Sequence, residues 1–126
     1  MRRIKSKKAF DEAKKYIAGG VNSPVRSFKY VKSKPVFFKK GYGCHLTDID
    51  DNTYIDCVSS WGPLLFGYSD KDLINSINNC VTNATTFGAP TLLENEMAKK
   101  ITELVPSIEM VRMVNSGTEA TMSAIR

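Results

Sequence analysis

The chain has 126 residues, 42% of them hydrophobic and 25% charged, with a formal net charge of +5 at pH 7. This length and apolar content suit one globular domain, and no apolar run approaches the roughly 20 residues that a membrane-spanning helix needs. The basic start, residues 1–5, lacks the apolar core of a signal peptide, so we expect a cytoplasmic protein.

The predicted elements alternate between helices and short strands. Ser6 is the predicted cap of the first helix, and Gly19 and Gly20 end it. Thr91 and Glu94 have the spacing of a capping box at the start of the third helix, which Pro106 ends. In chain order we predict a helix over 6–19, an antiparallel meander over 36–39, 44–48 and 53–56, helices over 69–81 and from 91, a buried strand over 108–114 and a helix from 116.

Two loops carry residues that could bind a ligand. Ser23 and Arg26 lie on a loop that Pro24 keeps rigid, and a fixed guanidinium can hold a carboxylate by a two-pronged hydrogen bond. Trp61 stands beside a Gly-Pro turn, where an indole is either a core plug or the wall of a pocket. From the residues alone, a surface arginine and a core tryptophan are the simpler interpretations.

The last stretch passes from an apolar run through a turn of small residues, Ser116, Gly117 and Thr118, into a helix. Ser116 and Glu119 have capping-box spacing. A helix start that follows a strand through small residues can bind a phosphate group, although simple capping explains the same pattern. The helix reaches Arg126 without a stop signal, and the strand before it lacks partners, so we expect the chain to be cut off within a larger core.

The remaining ionisable residues give weaker signals. Cys44, Cys57 and Cys80 match neither a zinc pair nor a C-x-x-C motif, so we expect reduced thiols, with Cys80 in the core. A single histidine, His45, makes a histidine-based metal site difficult to build, and we predict no metal. Most lysines and arginines precede residue 41, and such an arm can bind nucleic acid. That alternative stays open, and it would depend on Arg2, Arg3, Lys5, Lys7 and Lys8.

Several segments together resemble the glutamate-1-semialdehyde 2,1-aminomutase family, which belongs to the class III aminotransferases of pyridoxal-phosphate fold type I. They are G-G-V-N-S-P-V-R at 19–26, Y-I-D at 54–56, S-W-G-P at 60–63, F-G-A-P-T at 87–91, V-P-S-I-E-M-V-R at 105–112 and N-S-G-T-E-A at 115–120. The last segment alone indicates only the wider class III group, whereas the first points to the aminomutases. One departure is Gly67-Tyr68-Ser69, which stands where the family usually has a Gly-His pair.

This resemblance implies an α/β fold, with residues 1–56 in a small domain and residues 57–126 opening the large cofactor-binding domain, truncated at Arg126. It implies that Ser116, Gly117 and Thr118 bind the phosphate of pyridoxal 5'-phosphate or pyridoxamine 5'-phosphate. It further implies that Ser23 and Arg26 bind the substrate carboxylate and that Trp61 forms a wall of the active site.

The implied reaction moves an amino group within glutamate-1-semialdehyde to give 5-aminolevulinate for tetrapyrrole biosynthesis, in an enzyme that is a homodimer when complete. The family's Schiff-base lysine would lie beyond Arg126, so we expect residues 1–126 alone to be inactive. Another class III aminotransferase, acting between two molecules, is the alternative enzyme.

Overall fold

The computed structural model describes all residues, Met1–Arg126. Four α-helices and three strands form the regular structure: α1 Ile4–Ala13, β1 Phe38–Tyr42, β2 His45–Asp48, β3 Thr53–Ile55, α2 Lys71–Val81, α3 Leu92–Leu104 and α4 Gly117–Ile125. Short 3-10 turns cover Ala18–Gly20, Pro24–Ser27, Lys29–Val31 and Ser59–Trp61. None of the helices has the length and apolar character needed to cross a bilayer.

The three strands form one antiparallel sheet in the order β1-β2-β3, which confirms the predicted meander. Strand β1 lies at Phe38–Tyr42, later than the predicted 36–39. Tyr42 pairs with His45 across the first turn, where Gly43 has a positive φ of 54°. The register shifts between Phe38 and Lys40, so β1 carries a bulge. Turn residues between short alternating segments are a strong local signal, and for this reason the sheet could be predicted from sequence.

The turn between β2 and β3 is built around the carboxylate of Asp48, which is fully buried. This carboxylate accepts hydrogen bonds from the backbone N–H groups of Asp50 at 2.9 Å and Asn52 at 2.8 Å, from the Asn52 amide at 2.8 Å and from the Tyr54 hydroxyl at 2.8 Å. Burial alone would raise the pKa of Asp48, but these hydrogen bonds outweigh burial and lower it. The ionised carboxylate therefore organises the hairpin.

Helix α1 begins earlier than predicted, at Ile4, and Ser6 is not its cap. The Asp50 carboxylate accepts hydrogen bonds from the backbone N–H groups of Lys5 at 2.7 Å and Ser6 at 2.8 Å. A residue distant in sequence thus satisfies two of the free N–H groups at the helix start. Ser6 lies inside the helix, 1% exposed, and its Oγ accepts the N–H of Phe37 at 3.4 Å. The helix also ends at Ala13, well before Gly19.

The predicted core faces of α2 and α3 are exposed. Exposure is 52% for Ile77 and 53% for Met97, and no large hydrophobic side chain of the chain is buried. Cys80 is also exposed, so its predicted core position is wrong here. The periodicity that predicts these faces is real, but no element of residues 1–126 covers them.

Two further local predictions are wrong. Residues 108–114 form no strand, and Met110 is 90% exposed, because no neighbouring strand supplies the ladder of hydrogen bonds that a strand requires. At the start of α3, Thr91 is the cap residue, but its side chain makes no capping hydrogen bond and instead contacts the Glu94 carboxylate at 3.5 Å.

The chain folds as two compact units, Met1–Cys80 and Val81–Arg126. The domain boundary expected between residues 56 and 57 stays a prediction. The sheet, the Ser23–Arg26 loop and Trp61 belong to the first unit, whereas Ser116, Gly117 and Thr118 belong to the second.

Candidate functional site

The start of α4 has the capping geometry that the sequence predicts. Ser116 is the cap residue, with extended backbone angles of φ −152° and ψ 159°, and its Oγ accepts the backbone N–H of Glu119 at 3.2 Å. The second half of the predicted capping box differs. The Glu119 carboxylate accepts the N–H of Asn115 at 2.7 Å, not that of Ser116, so it fixes the residue before the cap. The turn into α4 is therefore held from both sides.

This geometry leaves the approach to the first turn of α4 open. A Cβ atom added at Gly117 would meet no other atom within 4 Å. Gly117 and Thr118 are the first two residues of the helix, where backbone N–H groups have no partner within the helix. The N-terminus of a helix carries roughly half a positive charge, so these N–H groups and the Thr118 hydroxyl form a suitable donor set for a phosphate group.

The Ser23–Arg26 loop is a single 3-10 turn. The backbone N–H of Arg26 donates to the Ser23 carbonyl at 3.0 Å, and the Ser27 hydroxyl donates to the Pro24 carbonyl at 2.7 Å. Pro24 occupies the first helical position, where its missing N–H costs nothing. Arg26 is exposed and forms no ion pair with the chain's carboxylates. Its guanidinium is thus available to a carboxylate ligand, and the backbone hydrogen bond keeps Ser23 in the same turn.

Trp61 is not a core plug, because its side chain is 73% exposed. It ends the 3-10 turn Ser59–Trp61, in which three successive residues have positive φ: 50° for Ser59, 52° for Ser60 and 67° for Trp61. Gly62 follows with φ 113°. This left-handed backbone is unfavourable for residues with a Cβ atom. Neighbouring groups must therefore stabilise the turn that presents the indole.

The Asp56 carboxylate, which was not predicted as a site residue, stabilises the segment before Trp61. It accepts hydrogen bonds from the N–H groups of Val58 at 2.8 Å and Ser59 at 3.2 Å, and from the Tyr68 hydroxyl at 2.7 Å. The hydrogen bond from Tyr68 is the main reason that the pKa of Asp56 is lowered, and the same bond raises the pKa of Tyr68. An Asp that accepts the backbone N–H of the second residue after it is a recognisable turn signal in a sequence. The hydrogen bond from Tyr68 joins residues 12 positions apart, so no local pattern indicates it.

The six predicted site residues thus occupy three places. Ser23 and Arg26 share one turn, Trp61 lies in another turn of the same unit, and Ser116, Gly117 and Thr118 form the start of α4 in the second unit. No cluster of three or more His, Cys, Asp or Glu side chains could hold a metal ion. The assignment of the six predicted site residues to a cofactor and a substrate stays a prediction at this point.

Comparisons with a family profile and with individual proteins agree on one family. The sequence profile of the family "Aminotransferase class-III" matches residues 28–126. The chain is 60% identical over 126 residues to a glutamate-1-semialdehyde 2,1-aminomutase of Sulfurihydrogenibium sp. (strain YO3AOP1), covering 100% of this chain and 29% of that protein. It is 59% identical over 123 residues to glutamate-1-semialdehyde 2,1-aminomutase 1 of Listeria innocua, covering 98% and 29% respectively. The chain therefore spans less than a third of the length of these relatives.

The fold comparison agrees. A solved transaminase with PLP bound superposes with a TM-score of 0.88 at 32% identity, covering 99% of this chain and 29% of that one. This similarity confirms the predicted fold class, the N-terminal portion of a pyridoxal-phosphate-dependent transferase. Because the family profile covers most of the sequence and this fold covers nearly all of it, the chain belongs to the class-III aminotransferase family.

Proposed function

We propose that this chain forms the N-terminal part of a glutamate-1-semialdehyde 2,1-aminomutase, which moves an amino group within one molecule to give 5-aminolevulinate for tetrapyrrole biosynthesis. The observation that carries the proposal is the 60% identity, across all 126 residues, to a relative of that name. The G-G-V-N-S-P-V-R segment at 19–26 resembles the aminomutases rather than other class III enzymes, and it forms the turn that joins Ser23 to Arg26.

Arg26 and Ser23 bind the carboxylate of the substrate in this proposal. A guanidinium with no partner in the chain can form a two-pronged, charge-assisted hydrogen bond with a carboxylate. The Ser23 hydroxyl adds a further donor beside it. Fixing the carboxylate end of a short amino-aldehyde orients its reacting end, which lowers the entropy cost of the reaction. Trp61 supplies an apolar wall that limits the size of the substrate and excludes water.

Ser116, Gly117 and Thr118 hold the phosphate of pyridoxal 5'-phosphate or pyridoxamine 5'-phosphate in this proposal. The residues fit the group, because the space above Gly117 is open and the first N–H groups of α4 point out of the helix. The Ser116 oxygen accepts the N–H of Glu119, which leaves its own hydrogen free to donate. When bound, the cofactor supplies the electron sink for amino-group chemistry.

We expect the 126-residue chain to be inactive alone, since none of its lysines stands in the motif context of the family's cofactor lysine. A homodimer of the complete enzyme and a cytoplasmic location also stay predictions. The second candidate is an aminotransferase that acts between two molecules, which the 32% identity to a solved transaminase supports.

A chimaera tests the proposal. Residues 1–126 replace the matching segment of the Sulfurihydrogenibium relative, and the product is assayed with glutamate-1-semialdehyde in the absence of any ketoacid. Formation of 5-aminolevulinate at a rate near that of the parent relative supports the aminomutase. A chimaera that folds and transfers amino groups only when a ketoacid is added supports the second candidate and contradicts the first.

A further inference from the structure

The Trp61 turn adopts a backbone that its own residues do not favour. Ser59, Ser60 and Trp61 have φ values of 50°, 52° and 67°, and each bears a Cβ atom. Two hydrogen bonds close the turn internally, from the N–H of Trp61 to the Val58 carbonyl at 3.0 Å and from the N–H of Gly62 to the Ser59 carbonyl at 2.9 Å. Unfavourable backbone angles persist only where surrounding contacts hold them.

Asp56 provides such contacts at the entrance to the turn. One carboxylate oxygen, Oδ1, accepts the N–H groups of Val58 and Ser59 at 2.8 and 3.2 Å. The other, Oδ2, accepts the hydroxyl of Tyr68 at 2.7 Å. The carboxylate therefore joins the start of the Trp61 turn to a residue on the far side of the loop.

Tyr68 is itself fixed to the sheet. Its backbone exchanges two hydrogen bonds with Gly43, at 2.8 and 2.9 Å. Its ring lies against Gly41 of β1, where an added Cβ would come within 2.5 Å of the ring carbon Cγ. The hydroxyl of the next residue, Ser69, donates to the Gly41 carbonyl at 2.8 Å. The Trp61 turn is thus connected through Asp56 and Tyr68 to the end of a strand.

We infer that Asp56 and Tyr68 are positioning residues that fix the Trp61 indole for substrate binding. The inference rests on the proposed function in its assignment of Trp61 to the substrate, but the connection from sheet to turn is independent of it. Tyr68 stands where the family usually has histidine, and both side chains can donate a hydrogen bond to a carboxylate. A histidine at position 68 would therefore also offer Asp56 a hydrogen-bond donor.

The kinetic test uses the chimaera and the matched variants Tyr68→Phe and Tyr42→Phe. Tyr68→Phe removes only the Tyr68 hydroxyl, which donates a hydrogen bond to Asp56 and also contacts the Ser60 side chain. Tyr42, in contrast, is 71% exposed. We expect Tyr68→Phe to reduce kcat/KM for glutamate-1-semialdehyde roughly tenfold, mainly through a higher KM, because a hydrogen bond to a charged group is lost. Tyr42→Phe should leave both constants unchanged. Tyr68→His keeps a donor, so its kcat/KM should lie within roughly threefold of that of the unsubstituted chimaera.

A second readout does not depend on the aminomutase assignment. Trp61 is the only tryptophan of the chain, so its fluorescence anisotropy reports the mobility of this turn. In the 126-residue chain we expect Tyr68→Phe to lower the anisotropy relative to Tyr42→Phe, with the far-UV circular dichroism unchanged. If the chimaera proves inactive while the anisotropy falls, the proposed function fails, and the role of Asp56 and Tyr68 in fixing the Trp61 turn stands. Unchanged anisotropy, or a lower urea midpoint with unchanged kcat and KM, overturns the inference.

Discussion

The Asp50 carboxylate, in the turn between β2 and β3, accepts the backbone N–H of Ser6 in α1 at 2.8 Å. A second bond, from the N–H of Lys5 at 2.7 Å, completes the contact. Because the free N–H groups at the start of α1 donate to a residue up to 45 positions away, α1 and the hairpin stabilise each other. This contact explains why the helix begins before the predicted Ser6 cap.

Asp50→Asn should fray the start of α1 more than Asp51→Asn does. Both changes remove one charge, but only Asp50 accepts N–H groups at the helix start, whereas Asp51 forms exposed ion pairs with Lys5 and Lys39. Exposed ion pairs contribute little to stability. Circular dichroism at 222 nm during urea unfolding checks the prediction, and equal midpoints for the two variants would contradict it.

Acid should destabilise the first unit through Asp48 and Asp50. The pKa of each lies below the ordinary value of 3.8, because hydrogen bonds from Asn52 to Asp48 and from Ser6 and Lys5 to Asp50 outweigh the effect of burial. A lowered folded-state pKa contributes stability that is present above the unfolded pKa and is lost as pH falls through the folded value. Urea midpoints should therefore be constant from pH 7 to about pH 5 and decrease below about pH 4. A midpoint that stays constant down to pH 3 would refute this account.

Gly41→Ala should destabilise the chain by about 1–3 kcal/mol, because the new methyl group overlaps the Tyr68 ring. Gly43→Ala is the matched control. It meets open space, and only its positive φ of 54° opposes the substitution, at a cost of about 1 kcal/mol. Urea unfolding of both variants should show the larger loss for Gly41→Ala, and the reverse order would show that the ring moves away freely.

Arg26→Ala should raise the KM of the chimaera for glutamate-1-semialdehyde about 10- to 100-fold, because a charge-assisted hydrogen bond to the substrate carboxylate is lost. Lys29→Ala, an exposed cation near the same turn, is the control and should leave KM unchanged. Arg26→Lys should restore KM only partly, since an ammonium group cannot form the two-pronged contact. Equal effects of Arg26→Ala and Lys29→Ala would remove Arg26 from the substrate site.

Thr118→Val should weaken binding of pyridoxal 5'-phosphate to the chimaera roughly tenfold, because the substitution deletes one donor while keeping the side-chain shape. Thr102→Val in α3 is the control, since its hydroxyl donates to the Lys99 carbonyl within the helix. Absorbance titration of the apoenzyme measures both affinities. Loss of affinity in the two variants alike would indicate a general effect on folding.

Local sequence signals correctly predicted the structural features that depend on contacts between residues close together in the chain. The Ser116 cap of α4 and the meander form from contacts only a few residues apart, and both are present. The start of α1 and the bond from Tyr68 to Asp56 join residues that are distant in the chain, so no local pattern could predict them. The apolar faces of α2 and α3 show the limit of periodicity: it identifies a face that can be buried but not the element that covers it.

The assignment of the six site residues came from resemblance to a family. Spacing alone favoured simple capping at Ser116, a surface arginine at position 26 and a core tryptophan at position 61. The structure contradicts only the last of these, since Trp61 is exposed. The unpaired Arg26 guanidinium and the open start of α4 are both accessible to ligands, and measurements on the chimaera test their roles.

Production of 5-aminolevulinate by the chimaera tests the central claim most directly. Glutamate-1-semialdehyde is supplied as the only amino compound, with no ketoacid, and the product is quantified over time. The account predicts steady formation of 5-aminolevulinate that falls when Arg26 is replaced by alanine. A folded chimaera that binds pyridoxal 5'-phosphate but forms no 5-aminolevulinate, while its parent relative does, would contradict it.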